Sequence, residues 1–343
     1  FYWEGKMPKI EREMTDARQR ATTRYYTLSG NTDYISKTST KYEEMPIDEY
    51  IQWMAFNQKF FTASIISERG FSKGLITLMP SNNEGTVKEG TLSSEIPYTD
   101  FLNNQVHFKY FFGPNKYNIL NQVTEGFSQN IELGWLFLPF INKYLIIPIF
   151  NFLEKFLSNY GLIIIIMVLI IRLILSPLTY KSHISMAKMR VLKPELDVIK
   201  EKHDGDMQKA QSDQLELYRK AGINPLSGCI PVLLQFPILV SLFYFIPSAI
   251  ELRLESFLWA DDLSSYDSIF NLPFNIPFYG DHVSLFTLLM AGSTILYTMA
   301  NSQMTTIQGP MKTMQYLMPI MFLFFFNSYP SGLSYYYFIT NLV

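Results

Sequence analysis

The stretch Tyr160 to Leu178, reading YGLIIIIMVLIIRLILSPL, constrains this chain more than any other. It is long and apolar enough for a bilayer-spanning helix, yet it carries Arg172, whose guanidinium stays charged under all ordinary conditions. An arginine at the centre of a span costs between about 2.5 and 17 kcal/mol depending on the scale, so it faces a partner or water unless its head snorkels to the interface. Snorkelling has a geometric basis, because at about 1.5 Å per residue Arg172 lies roughly 12 Å from a helix end at Tyr180. On this helix alone both readings stay open. Helical spacing places Val168, Leu169, Leu175 and Ser176 one turn from Arg172 on its face and turns Ile170 and Leu173 elsewhere.

The 343 residues are 48% hydrophobic, but the apolar content is uneven. Upstream of about Leu133 no run approaches the roughly eighteen apolar residues of a span, and downstream such runs dominate. A net charge of −2 with no dense basic stripe excludes a general nucleic-acid binder with direct readout. The single cysteine, Cys229, excludes an intrachain disulfide and cysteine-rich metal sites, and no motif asks for a metal or another cofactor. The opening FYWEGKMPKI and the fourteen-residue apolar segment Pro330 to Val343 both read as cut ends.

Residues 1–131 read as an extracytoplasmic β-sandwich. Thr23 to Leu28, Phe60 to Ser67, Gly74 to Met79 and Gln105 to Phe112 are short, rich in aromatic and β-branched residues, and divided by turns such as PSNNEG. Ile47 to Phe56 and Lys116 to Val123 read as short helices. His107 has no second histidine near it in sequence and reads as packed or exposed.

Residues 132–343 read as an α-helical polytopic membrane core. Residues 136–158 carry Lys143, Glu154 and Lys155, two prolines, and a polar stripe through Asn151 and Ser158, the pattern of a helix lying in the interface. Five spans then fall near 160–178, 229–247, 284–300, 314–327 and 330–343. The loop from Thr179 to Gly222 holds nine Lys/Arg, against Arg253 alone between Ser248 and Val283, which puts the first loop in the cytoplasm and the sandwich outside. Within that loop, residues 182–221 read as a helical hairpin: Ser185 to His203 and Met207 to Ala221 are charged amphipathic patterns joined by HDGD. Met186 and Met189, beside Lys188 and Arg190, offer adaptable surface to apolar partners or anionic headgroups, or pack in the hairpin's own seam.

The segment GINPLSGCIPVLLQFPILVSLFYFIP, from Gly222, sets three prolines and Gln235 in or beside a span, so its backbone and amide need helices or water rather than lipid. Together with RLILSPLT, SMAKMRVLKPEL, SAIELRLESFLWADDLS and YPSGLSYYYFITNLV, in that register, it resembles the YidC family of membrane protein insertases. FNQKFFTASII and YFFGPNKYNIL resemble the periplasmic domain of the family's Gram-negative members. The resemblance implies a bacterial inner-membrane protein that inserts and chaperones nascent membrane proteins, meeting the ribosome, the Sec translocon and the bilayer. It implies a half-pipe of five helices around a hydrated groove open to the cytoplasm and to lipid but closed on the outer side, in which Arg172 matches the groove arginine, Gln235 a groove glutamine, and Tyr336 and Tyr337 substrate-facing aromatics. Val168 departs from the threonine some members carry one turn before that arginine. A transporter or channel is the alternative, against which stand spans without Asp or Glu and the lack of an internal repeat. An enzyme lacks its motif: there is no HExxH and no GxSxG.

Overall fold

The computed structural model describes residues 1–103, 106–203, 207–222, 230–302 and 310–343. Its contacts divide the chain into two units, Phe1–Glu132 with Ser248–Glu251, and Leu133–Pro247 with Leu252–Val343.

The first unit runs β1 (Tyr2–Pro8), α1 (Met14–Arg20), β2 (Thr22–Thr27), β3 (Thr32–Tyr34), β4 (Glu43–Ile47), β5 (Ile51–Asn57), β6 (Phe61–Phe71), β7 (Lys73–Pro80), β8 (Thr86–Glu95), α2 (Tyr98–Leu102), β9 (Phe108–Pro114) and α3 (Tyr117–Leu120). The strands form two antiparallel sheets, ordered β1-β8-β7-β4 and β3-β2-β5-β6-β9. Ile76 and Leu92 of the first sheet and Met54, Phe56 and Ile65 of the second share one buried cluster, the packing of two sheets face to face. Gly90 in β8 is required there, because a Cβ would sit 2.5 Å from the Thr77 carbonyl of β7.

The helix expected over Ile47 to Phe56 is instead the central strand β5. All but one of its residues are buried, so IQWMAFN lacks the polar alternation that marks a half-exposed strand. The four expected strands correspond to β2, β6, β7 and β9; Gln105, the expected start of the last, lies outside the described residues, and His107 is exposed. Strands β1, β4 and β8 were not legible at all.

One group of buried polar side chains in this unit lies at the exit of α1. Lys88 of β8 is 1% exposed, and its ammonium donates to the carbonyls of Ala21 (3.0 Å) and Lys37 (2.7 Å). Burial pushes its pKa down to about 8; Glu43 opposes this, while Lys37 and Arg18 add to it. Lys37 in turn pairs with Glu132, and Arg24 donates to the Gln129 carbonyl, fastening the segment that leaves the unit.

The second unit runs α4 (Leu138–Ile141), a π turn (Asn142–Ile146), α5 (Ile147–Glu154), α6 (Tyr160–Val191), α7 (Lys193–Lys202), α8 (Met207–Lys220), α9 (Ile230–Ser248), the hairpin β10 (Phe270–Ile276) and β11 (Gly280–Val283), α10 (Leu285–Ser302), α11 (Pro310–Phe326) and α12 (Ser331–Leu342). Among the described residues only α6 is long and apolar enough to cross a membrane by itself; Leu233–Ser248, Leu285–Ala300 and Leu317–Phe326 are shorter apolar helices. Cys229 and most of GINPLSGC lie outside the described residues, as does most of the HDGD turn.

Two expected helices are broken differently. Residues 136–158 contain α4 and α5 joined by the π turn, where the Ile147 N–H reaches back to the Asn142 carbonyl. Pro148 follows at once, and a widened turn accommodates its ring and missing donor. The helix expected over Ser185 to His203 is split at Leu192. Its first part continues α6 in one 32-residue helix, and Pro194 in the first turn of α7 marks the new start.

Candidate functional site

Helix α6 begins at a side-chain cap, the Asn159 Oδ1 accepting from the Leu162 N–H at 3.0 Å. Ile163, Ile164, Met167, Val168, Ile171 and Leu175 form its buried stripe. Leu169, Leu173 and Ser176 lie on the exposed side. Arg172 stands half-buried on the border between the two. The face expected for Arg172 is thus divided: Val168 is 1% exposed and packed inward, whereas Leu173, expected to point elsewhere, is 73% exposed. The border position arises because the neighbours at i−4 and i+3 lie on one flank and those at i−3 and i+4 on the other.

Pro177 sits within α6 and cannot donate to the carbonyl one turn back, that of Leu173. Ser176 takes its place, its hydroxyl donating to the Leu173 carbonyl at 2.8 Å, and Thr179 Oγ1 donates to the carbonyls of Leu175 and Ser176. The sequence SPLT therefore keeps a proline in a long apolar helix without leaving a bare acceptor.

Arg172 is joined to α12. Its Nη2 donates to the Thr340 carbonyl at 2.5 Å, its Nε is buried with no hydrogen-bond partner among the described residues, and the Thr340 side chain meets that of Tyr336. One turn earlier on α12, Tyr336 is 1% exposed, and Tyr337 is half-buried with its ring edge-on to Phe322 at 6.3 Å. The charge of Arg172 acts on both tyrosine hydroxyls, so three of the four expected groove residues are gathered within electrostatic reach. Gln235 is half-buried on α9, and among the described residues no hydrogen bond links it to Arg172. No carboxylate among the described residues pairs with Arg172 either.

The hairpin residues divide. Met189 packs with Leu192 and Leu217 against Leu196 and Tyr218, in the hairpin's own seam, while Lys188 and Arg190 are exposed. Met186 belongs to α6, and its side chain lies outside the described ones. His203 and Asp213 bridge the hairpin at 2.7 Å.

A second polar cluster, at the other end of α10 and α12, was invisible in the sequence. The buried Asp267 carboxylate accepts from the N–H groups of Leu285 (2.9 Å) and Phe286 (3.1 Å), from Ser284 Oγ (2.5 Å) and from Trp259 Nε1 (2.8 Å). This is an N-cap supplied from 17 residues away. Asn327, at the end of α11, donates to the Tyr279 and His282 carbonyls and accepts from the Ser284 N–H. Thr287 Oγ1 donates to the Phe326 carbonyl and meets Ser334 Oγ at 3.1 Å, and the N–H groups of Ser331 and Gly332 return to the loop at Ser265 and Leu263. Only the pairing of DLSSYD with SLF, across a hairpin, could have pointed to it.

In chain order, a strand-rich unit is thus followed by a helical unit whose long apolar helix carries a charged arginine. The model of the 60Kd inner membrane protein family matches residues 152–343, and that of the YidC periplasmic domain matches residues 3–148. The chain belongs to this family, the YidC family, whose members are inner-membrane proteins with a periplasmic domain. It is similar to the membrane protein insertase YidC of Amoebophilus asiaticus, 52% identical over 344 residues that cover 100% of this chain and 58% of that protein. The membrane protein insertase YidC of Cytophaga hutchinsonii is 44% identical over 353 residues, covering 99% and 57%. The chain therefore spans less than two thirds of the length of these relatives. A crystal structure of an active YidC insertase with its first transmembrane domain resolved aligns at a TM-score of 0.47 and 22% identity, over 99% of this chain and 77% of that one.

Proposed function

We propose that this chain is a membrane protein insertase and chaperone, passing nascent membrane proteins through a hydrated groove around Arg172 into the lipid bilayer. The observation that carries the reading is the buried Arg172 Nε, which has no hydrogen-bond partner among the described residues, on a guanidinium that cannot be neutralised. Such a site calls for water or a polar guest. A short polar segment entering lipid loses its hydration, and a wet groove lowers that barrier by keeping its groups satisfied. The positive charge draws acidic residues of the guest, and hydration screens the attraction enough for release.

In this reading residues 1–131 are the periplasmic domain and 132–343 the insertase core. The spans lie near 160–178, 229–247, 284–300, 314–327 and 330–343, with the interfacial helix at 136–158 and the hairpin 182–221 in the cytoplasm. Gln235, Tyr336 and Tyr337 line the groove. Met186, Lys188, Met189 and Arg190 receive the substrate at its mouth, where the ribosome and the Sec translocon are partners. The nine cations of the Thr179 to Gly222 loop support this orientation. Reconstituted insertion with Arg172→Ala and Arg172→Lys tests the reading. Alanine is expected to slow substrates with acidic outer segments about tenfold or more, and lysine to retain most of the rate, since charge matters more than bidentate geometry. Equal rates for alanine and arginine proteins refute electrostatic capture.

A further inference from the structure

We propose that the β10–β11 hairpin is an interfacial anchor, with Phe270, Phe274 and Phe278 seated in the acyl–headgroup boundary of the bilayer. This anchor is distinct from the insertion proposed above and depends on that reading only for α10 and α11 crossing the membrane. Residues 270–278 read FNLPFNIPF, in which every even position is Phe, Leu or Ile and every odd one is Asn or Pro. On a strand such alternation gathers the apolar side chains on one face. A hairpin of a soluble domain would turn that face to a core. Here Phe270, Phe274 and Phe278 are 61%, 60% and 95% exposed, and no charged residue occurs from Ser268 to Gly280. An uncharged apolar patch of this kind marks a surface made for something other than water.

The backbone supports this. Phe278 has a φ of 67°, in the left-handed region where a bulky side chain is strained. Leu254 and Leu258, in the same loop between α9 and α10, have φ of 60° and 55° and are each 69% exposed. Strain that delivers apolar side chains into water gains nothing, whereas in lipid each of them is well solvated.

The root of the hairpin fixes its depth. Only Ser284 separates β11 from α10, and Asn327 directly follows the last residue of α11. Asn327 Nδ2 donates to the Tyr279 and His282 carbonyls, both at 2.8 Å, and the Asn327 carbonyl meets His282 Nε2 at 2.9 Å. The hairpin is thus fastened where two apolar helices end, which for helices that cross a bilayer is the level of the interface. Continuity of surface names lipid as the occupant. The Tyr279 ring, next to Phe278, packs edge-on to Phe324 at 5.5 Å. Met321, Phe324 and Phe325, spaced along one face of α11, are 58%, 41% and 52% exposed. The medium that covers this face therefore reaches the hairpin. An added strand from a protein partner fits less well, because Pro273 and Pro277 remove backbone donors from β10.

Fluorescence quenching in proteoliposomes tests this. Phe274→Cys, Phe278→Cys, Asn275→Cys and Met321→Cys are made singly in a Cys229→Ser background, labelled with bimane and reconstituted in phosphatidylethanolamine–phosphatidylglycerol vesicles. The quenchers are a lipid nitroxide attached near the acyl carbonyl and aqueous iodide. The nitroxide is expected to quench at 274 and 278 about threefold more strongly than at 275, and iodide in the reverse order. Phe274→Cys carries the test if Phe278→Cys does not fold. Quenching at 274 and 278 by iodide alone puts the hairpin in water and overturns the anchor. Protection from both quenchers puts a protein surface over it, from a second copy or another chain, and overturns it equally. Position 321 reads the crossing by α11 separately. Nitroxide quenching there with none at 274 and 278 sinks the anchor and leaves the proposed function standing. Iodide quenching at 321 sinks the crossing that both readings share. A failure of insertion in the same vesicles overturns the insertase reading and leaves the depth of the hairpin to be decided by the quenchers.

Discussion

Replacing Lys88 by methionine separates two opposing contributions that the structure places on one buried atom. The ammonium is held to two carbonyls, and burial lowers its pKa from 10.5 to about 8. Because the folded-state value is the lower one, the charged form is penalised on folding. The penalty is fully present below about pH 8 and fades as pH rises toward 10.5, so this group makes the protein more stable with increasing pH across that window. The shift corresponds to about 3 kcal/mol. Methionine removes the penalty but strands the Ala21 and Lys37 carbonyls, each at a cost of about 1–3 kcal/mol. The two effects nearly cancel at pH 7, where the variant is expected within about 2 kcal/mol of the parent. Between pH 7 and pH 9 the parent should gain about 1 kcal/mol on the variant. Pulse proteolysis of the full chain in detergent across a urea series, at pH 7, 8 and 9, measures the difference. Parallel pH curves for parent and variant would refute the argument.

Three further outcomes follow from other contacts. Gly161→Ala should destabilise the second unit by about 1–3 kcal/mol, read as a lowered unfolding midpoint in detergent, because the new methyl meets the Phe257 ring 2.1 Å away. Glu132→Gln should speed amide exchange over residues 127–131; burial pushes the Glu132 pKa up, but Lys37, Arg24 and Arg20 outweigh it and hold it low, so the parent should show the same loosening as pH falls through that depressed value. Deleting Ala187 to Arg219 should leave the core's helical signal and protease resistance intact while abolishing insertion, and loss of either structural signal would make the hairpin part of the fold.

What could be read from the residues follows the range of the forces involved. Arg172 announced itself because one permanent charge in an apolar run is a local anomaly, and Tyr336 and Tyr337 because YPSGLSYYY is a local motif. Strand β5 was misread since burial on both faces erases the alternation that identifies a strand. The break at Leu192 was missed although Pro194 was in view, because a proline is equally at home in the first turn of a helix and at its end. Asp267 was not legible. Its partners lie 8, 17, 18 and 19 residues away, and the Asn327 that completes the cluster reaches the Ser284 N–H across 43. No periodicity in the chain encodes such a meeting.

The length of α6 has a mechanical meaning. Its 32 residues make a rod of about 48 Å, and about 28 Å of it separates Arg172 from Val191, its last residue, inside the hairpin. The hairpin and Arg172 are therefore mounted on a common shaft, with Met189 fixed in the hairpin and Arg172 fixed to α12. A swing of about 5° in the shaft displaces its hairpin end by about 2.5 Å. Between the two mountings lies Pro177, where Ser176 already holds the released carbonyl, so the shaft has a joint that bends without exposing backbone. The hairpin can therefore move at this joint while Arg172 keeps its bond to the Thr340 carbonyl on α12.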